Sequence, residues 1–108
     1  MIDTLDQDRR GAQRYTLTLP CCVVRLRHEE VELLGRTRNL SSRGALLVAE
    51  GPFEKGAPIQ FFVTLQQSRG SAGSVRLRCR GHVARLESMD SSRGAGVGVT
   101  FEAYEFVR

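Results

Sequence analysis

Apolar and polar residues alternate along most of this chain, which is the pattern of β-strands with one buried face. The clearest case is VRLRCRGHVARL (75–86), where apolar residues alternate with arginine and histidine. IQFFVTLQ (59–66) repeats the alternation, EVELLGRTR (30–38) follows it less regularly, and GALLVAE (44–50) and GVGVTF (96–101) are short, mostly apolar runs. Each of these stretches is predicted to be a strand.

The first strand changes phase partway along its length. Tyr15, Leu17 and Leu19 fall on one face, whereas the apolar positions after Pro20 are Cys22, Val24 and Leu26. A shift of one residue at a proline predicts a β-bulge or bend there.

Turn signals separate the strands. RHEE (27–30) is a predicted hairpin turn, and the proline- and glycine-containing EGPFEKGAP (50–58) and the Gly/Ser-rich QSRGSAGS (67–74) are predicted loops. Six short strands separated by such turn signals predict an all-β, antiparallel barrel or sandwich. EAYEFVR (102–108) is predicted to be a very short helical tail. Residues 1–14 lack apolar periodicity and are expected to be a mobile arm on a single domain, 15–108.

The composition fits one soluble domain. The chain has 108 residues, of which 41% are hydrophobic and 26% charged, and no apolar run approaches the ~20 residues that span a bilayer. The polar N-terminus does not resemble a signal peptide. Three cysteines, two of them adjacent at Cys21 and Cys22, make a poor disulfide framework and favour half-buried structural thiols in the reducing cytoplasm.

Sites for catalysis or metal binding are not expected. His28 and His82 lie in a predicted turn and on a polar strand face, and Cys79 is distant in sequence from the adjacent cysteine pair. A zinc site needs about four Cys or His ligands, usually in close pairs. No phosphate-binding loop and no GxSxG motif occurs, so the chain is not predicted to be an enzyme.

The net charge of +4 is carried by fifteen arginines and one lysine. Arginine presents a planar set of donors that matches phosphates and guanine edges. The arginines that alternate along 76–80 have no interleaved aromatic residues for base stacking, so a solvated strand face is favoured there. Binding of RNA or single-stranded DNA by this strand is the rival hypothesis.

Two short motifs stand out against this background. The arm contains Arg10-Gly-Ala-Gln-Arg14, and Asn39-Leu-Ser41-Ser-Arg-Gly44 interrupts the strand pattern 25 residues after Arg14. In this order, separated by two strand-like runs, they resemble the RxxxR and (D/N)xSxxG motifs of the PilZ domain family. GVGVTF resembles the strand that closes the barrel of that family, so the resemblance covers nearly the whole chain.

The resemblance implies a six-stranded antiparallel β-barrel that binds cyclic di-GMP, a bacterial second messenger. It implies a cytoplasmic receptor or adaptor that changes conformation to regulate a protein partner, as a monomer or dimer, without cofactor or metal. Nucleic-acid binding is disfavoured, and insertion into a membrane is not expected. A PilZ-like adaptor that binds only protein is the third hypothesis.

The candidate site residues follow from the motifs and from the ligand's chemistry. Arg10 and Arg14 can pair with phosphate or guanine, the Asn39 amide can read a guanine edge, and Ser41 would point the same way on an extended segment. Gly44 either allows close approach of a ligand or backbone or adopts positive φ. Arg9 is a candidate contact to a second ligand molecule. Ser42 and Arg43 occupy the variable motif positions as secondary candidates, and on its own the stretch would be a simple turn.

Overall fold

The computed structural model describes residues 18–67, 74–88 and 94–107, and these form an antiparallel β-barrel. The strands are β1 (Pro20–Leu26), β2 (Glu29–Leu40), β3 (Gly44–Ala49), β4 (Pro58–Gln67), β5 (Ser74–Ser88) and β6 (Ala95–Val107). They close in the order β1-β2-β3-β6-β5-β4, and every neighbouring pair is antiparallel. The predicted six-stranded barrel is confirmed.

The alternating apolar residues fill the barrel interior. Strand β4 shows this most clearly, because Ile59, Phe61 and Val63 are almost completely buried while the residues between them are partly exposed. One face of each strand therefore supplies the core, as the period of two in the sequence predicts. The largest fully buried side chains are Phe61, Leu47, Ile59, Val23, Val63, Val83, Val97, Thr37 and Cys79.

The phase predicted for the first strand is wrong. In β1 the buried residues are Cys21, Val23 and Leu26, and the register shift lies between Val23 and Arg25 instead of at Pro20. Pro20 begins the strand, where its missing N–H interrupts no interior ladder bond. The bulge restores the inward direction at Leu26 after one extra residue.

The C-terminal helix is also wrong, because residues 102–107 continue β6. Ala103 through Val107 pair with Arg80 back to Arg76 on β5. The rings of Phe101 and Tyr104 pack with centroids 5.5 Å apart. A helix this short has too few hydrogen bonds to persist alone, whereas a strand here extends an existing ladder.

The predicted turn after β1 is confirmed. It is a two-residue connection formed by Arg27 and His28, with Leu26 paired to Glu29 and Arg27 at φ 62°. The predicted arm, residues 1–14, lies outside the described residues, as does most of the predicted loop at 67–74.

The cysteines lie on β1 and β5 as free thiols, with Cys21 and Cys79 buried and Cys22 partly buried. Burial raises the pKa of Cys21 and of Cys79 to about 12, with smaller contributions from Cys22 and Cys21 respectively. The two buried thiols therefore stay protonated and unreactive at neutral pH. Across the described ranges no Cys, His, Asp or Glu group is arranged to hold a metal ion. In the same ranges, no helix has the length and apolar character needed to cross a membrane.

Candidate functional site

The turn between β2 and β3 is held by its own hydrogen bonds. The Ser41 N–H donates to the Gly44 carbonyl at 2.9 Å, and the Arg43 N–H donates to Ser41 Oγ at 3.1 Å. The Arg43 carbonyl accepts a bond from the Phe101 N–H of β6 at 2.8 Å. Ser41 therefore shapes the turn, and the turn is fixed to the neighbouring strand.

Gly44 is required by a close approach of backbone. It pairs with Thr100 at the start of β3, and a Cβ atom at this position would collide with the carbonyl oxygen of Val99. Its φ is not in the left-handed region, where Gly56 lies. Of the two explanations that the sequence offers for this glycine, close approach is the one that applies.

An open groove of about 190 Å³ lies beside this turn on the outer surface of the barrel. Four of the candidate residues, Asn39, Ser41, Arg43 and Gly44, line it, whereas Ser42 does not. Arg9, Arg10 and Arg14 lie outside the described residues. The complete lining is Asn39, Leu40, Ser41, Arg43, Gly44, Ala45, Leu46, Ala84, Arg85, Gly98, Val99 and Thr100.

A row of four paired residues crosses the floor of the groove. Asn39 on β2 pairs with Leu46 on β3, Leu46 pairs with Gly98 on β6, and Gly98 pairs with Arg85 on β5. The row has the apolar Leu46 and the small Gly98 at its centre and polar side chains at both ends. This arrangement can accept a flat or anionic ligand between Asn39 and Arg85.

Two β-bulges turn the residues at the two ends of the row, Asn39 and Arg85, toward the outer surface. Thr37 is fully buried, and without the register shift between Thr37 and Asn39 the asparagine would face the core as well. A second shift, between the buried Val83 and Arg85, turns the arginine outward. Bulges of this kind re-aim side chains next to binding sites.

Arg85 and Gly98 line this groove but are not among the candidate residues that the sequence predicts. Arg85 was included in the alternation of the β5 run, and Gly98 in the closing strand. The sequence does contain a signal for Arg85, because Val83 and Arg85 are two residues apart, and would share one face of a regular strand, but differ in polarity. A strand that keeps strict alternation cannot bury one and expose the other, so the pair indicates a bulge.

The groove contrasts with the arginine-bearing surface of β5 nearer its start. Arg78 Nε donates to Glu105 Oε2 at 2.8 Å, and Arg76 lies over the Phe62 ring at 4.5 Å from its centroid. A groove of about 350 Å³ lies on this surface, and Glu105 is part of its lining. These partners agree with the solvated face expected for the arginines of 76–80.

Comparison with known proteins places these observations in a family. No curated protein matches the chain. The family model of the PilZ domain matches residues 8–105, a range that includes both arginines of RxxxR and the whole Asn39–Gly44 motif. PilZ domains are cyclic di-GMP-binding receptor or adaptor domains. With a match over most of its length and a closed six-stranded barrel, this chain belongs to the PilZ domain family.

Proposed function

We propose that this protein is a bacterial cyclic di-GMP receptor that binds its ligand in the groove beside the β2–β3 turn. The observation that supports this most is the meeting of Asn39, Ser41, Arg43 and Gly44 in one groove whose lining contains arginines but no acidic residue. Among the lining residues an anionic ligand therefore meets no like charge, and Glu87, which pairs with Arg85, lies outside the lining.

The ligand's chemistry matches the groove. Cyclic di-GMP carries two phosphates and two guanines, and guanine presents both acceptors and donors along its edges. The Asn39 amide can donate and accept at such an edge. The exposed guanidinium of Arg43, which makes no salt bridge within the described residues, can pair with phosphate or with guanine O6 and N7.

The groove is too small to enclose the ligand by itself. Pockets for drug-sized molecules have volumes of about 300–1,000 Å³, against about 190 Å³ here. A further part of the chain is therefore proposed to complete the site, with Arg10 and Arg14 as its groups.

The attachment point of the arm makes this contribution feasible. Leu19 is tied to Thr37 in both directions, since its N–H donates to Thr37 Oγ1 at 3.0 Å and its carbonyl accepts from the Thr37 N–H at 2.9 Å. Thr37 is two residues from Asn39. Arg14 lies five positions before Leu19 in the sequence, which limits the distance between them to roughly 18 Å. Arg14 is therefore within reach of the groove.

Signalling would follow from ordering of the arm. When Arg10 and Arg14 pair with the ligand, the arm is held over the groove and presents a changed surface to a protein partner in the cytoplasm. Ordering has an entropic cost, so an affinity in the micromolar range, about −8 kcal/mol, is expected. Arg9 is proposed to contact a second ligand molecule if two molecules stack.

Calorimetric titration of the full chain with cyclic di-GMP, GTP and a short single-stranded oligonucleotide tests this proposal. We expect binding of cyclic di-GMP only. Asn39→Ala should weaken binding by about 2- to 10-fold through loss of hydrogen bonds. Gln60→Ala is the matched control, because Gln60 lines the groove on the other surface. A chain that binds the oligonucleotide but not cyclic di-GMP contradicts the proposal in favour of the nucleic-acid hypothesis.

A further inference from the structure

Arg85 lies in the groove at a position outside both family motifs. A Cβ atom added to Gly98 would lie 2.8 Å from Cγ and 3.2 Å from Nε of Arg85. The arginine side chain therefore lies directly across the glycine, on the floor of the groove. The absence of a side chain at Gly98 is what leaves room for it.

The guanidinium of Arg85 already binds a carboxylate. Its Nε lies 2.8 Å from Oε2 of Glu87, two residues further along the same face of β5. Glu87 is outside the groove lining and is its only salt-bridge partner among the described residues. The side chains are 54% and 39% exposed, so water can replace either partner and the pair can exchange at low cost.

We propose that Arg85 forms a phosphate-binding subsite of the groove, and that Glu87 competes with the ligand for it. This inference rests on the proposed function and adds to it a contact that neither motif contains. A carboxylate and a phosphate present similar oxygen pairs to the planar guanidinium. In the free protein, a carboxylate oxygen of Glu87 therefore occupies the position beside Arg85 that a phosphate oxygen of the ligand would take.

The competition predicts opposite effects for two neighbouring substitutions. Arg85→Ala removes the phosphate contact and should weaken cyclic di-GMP binding by about 10- to 100-fold. Glu87→Gln removes the competitor but keeps the shape of the side chain, and should strengthen binding by about 2- to 5-fold. In the double variant the second change should have no effect, because the group that it releases is gone.

The test is calorimetric titration of the full chain and these variants with cyclic di-GMP at two salt concentrations. Arg78→Ala is the matched control, since it breaks an exposed salt bridge on the outer face of the same strand, to Glu105, outside the groove. Arg85→Ala should also reduce the salt dependence of binding, which a purely structural role would leave unchanged. Arg85→Ala and Arg78→Ala should melt at similar temperatures.

Three results would overturn the inference. If Arg85→Ala binds as the unchanged chain does, the subsite is wrong while the receptor function stands. If Glu87→Gln weakens binding, the carboxylate supports the ligand instead of competing with it. If the unchanged chain does not bind cyclic di-GMP at all, the proposed function fails together with the subsite.

Discussion

Two outer surfaces of this barrel carry arginines, and they differ in what surrounds those arginines. On the surface formed by the start of β5 and the end of β6, Arg78 pairs with Glu105 and Arg76 lies over Phe62. In the groove beside the β2–β3 turn the lining contains no acid, and Arg43 makes no salt bridge within the described residues. The two surfaces therefore differ at Arg43, which has no carboxylate partner among the described residues, whereas Arg85 at the other end of the groove pairs with Glu87 outside the lining.

The two surfaces also differ in the side chains that line them. Gly98 forms part of the groove floor beneath the Arg85 side chain, and the hydrogen-bonded turn at Ser41 borders the groove. The other surface carries aromatic side chains, with Phe62 partly buried and Tyr104 45% exposed. A groove of about 350 Å³ lies there as well, so the two surfaces differ in the side chains that line them and not in whether they have room for a ligand.

The largest effect, a loss of stability and of binding together, is expected from Gly44→Ala. Its Cβ would meet the Val99 carbonyl oxygen, which belongs to a paired strand and cannot move freely. Overpacking of this kind should lower the free energy of unfolding by about 1–3 kcal/mol and weaken ligand binding as well. Gly98→Ala is the matched comparison, because its Cβ would meet only the flexible Arg85 side chain. It should weaken binding with a change in stability below about 1 kcal/mol. Equal melting temperatures for the two variants would contradict the expectation that Gly44 is needed for the stability of the barrel whereas Gly98 affects mainly the groove.

The second effect concerns base recognition. Adenine lacks the O6 acceptor and the N1–H and N2–H donors of guanine, so cyclic di-AMP would leave polar groups at Asn39 and the arginines unpaired. We expect it to bind at least about 100-fold more weakly than cyclic di-GMP. Competition calorimetry measures the ratio, and equal affinities would exclude reading of the guanine edge by the groove.

The third effect separates the arm from the barrel. Arg14→Ala should remove a charge-assisted contact worth about 1.5–3 kcal/mol, or roughly 10- to 150-fold in affinity. The melting temperature without ligand should hardly change if the arm buries little apolar surface. Paired titration and thermal melting check both, with Gly44→Ala as reference. If Arg14→Ala melts as early as Gly44→Ala, the arm is part of the core and does not act as a clamp.

The smallest effect is expected on the other arginine surface. Replacing Arg76 and Arg78 together by alanine should change cyclic di-GMP affinity by less than about twofold, because each lies outside the groove and already has a partner. Titration of the double variant measures this. A tenfold loss would show that cyclic di-GMP binds at this surface and that the proposed site in the groove is wrong.

The sequence predicts the barrel well because alternation sets which face of each strand is buried. It also predicts a turn within Asn39–Gly44, because asparagine, serine and glycine there interrupt a strand pattern, and β2 ends at Leu40 and β3 begins at Gly44. The ligand-binding role of these residues stays a prediction. It fails where one residue is inserted into a strand. The bulge before Leu26 inverts the predicted face of β1, and the bulge before Arg85 hides a groove residue within an apparently regular strand.

The C-terminal tail also differs from its prediction because of pairing between strands that are distant in sequence. The seven residues after Phe101 contain too little pattern to choose between helix and strand. Their pairing is decided by the long neighbouring strand β5, whose start would otherwise lack a partner on that side. Long-range pairing of this kind overrides local preference and is not visible in a short segment.

Backbone amide chemical shifts, recorded on the isotope-labelled full chain during titration with cyclic di-GMP, distinguish the two surfaces most directly. The largest shifts are expected for residues 39–46, for Arg85 and for residues 98–100, with small changes at Gln60, Arg78 and Glu105. Largest shifts along Arg76–Arg80 and Ala103–Glu105, with the β2–β3 turn unchanged, would contradict binding in the groove.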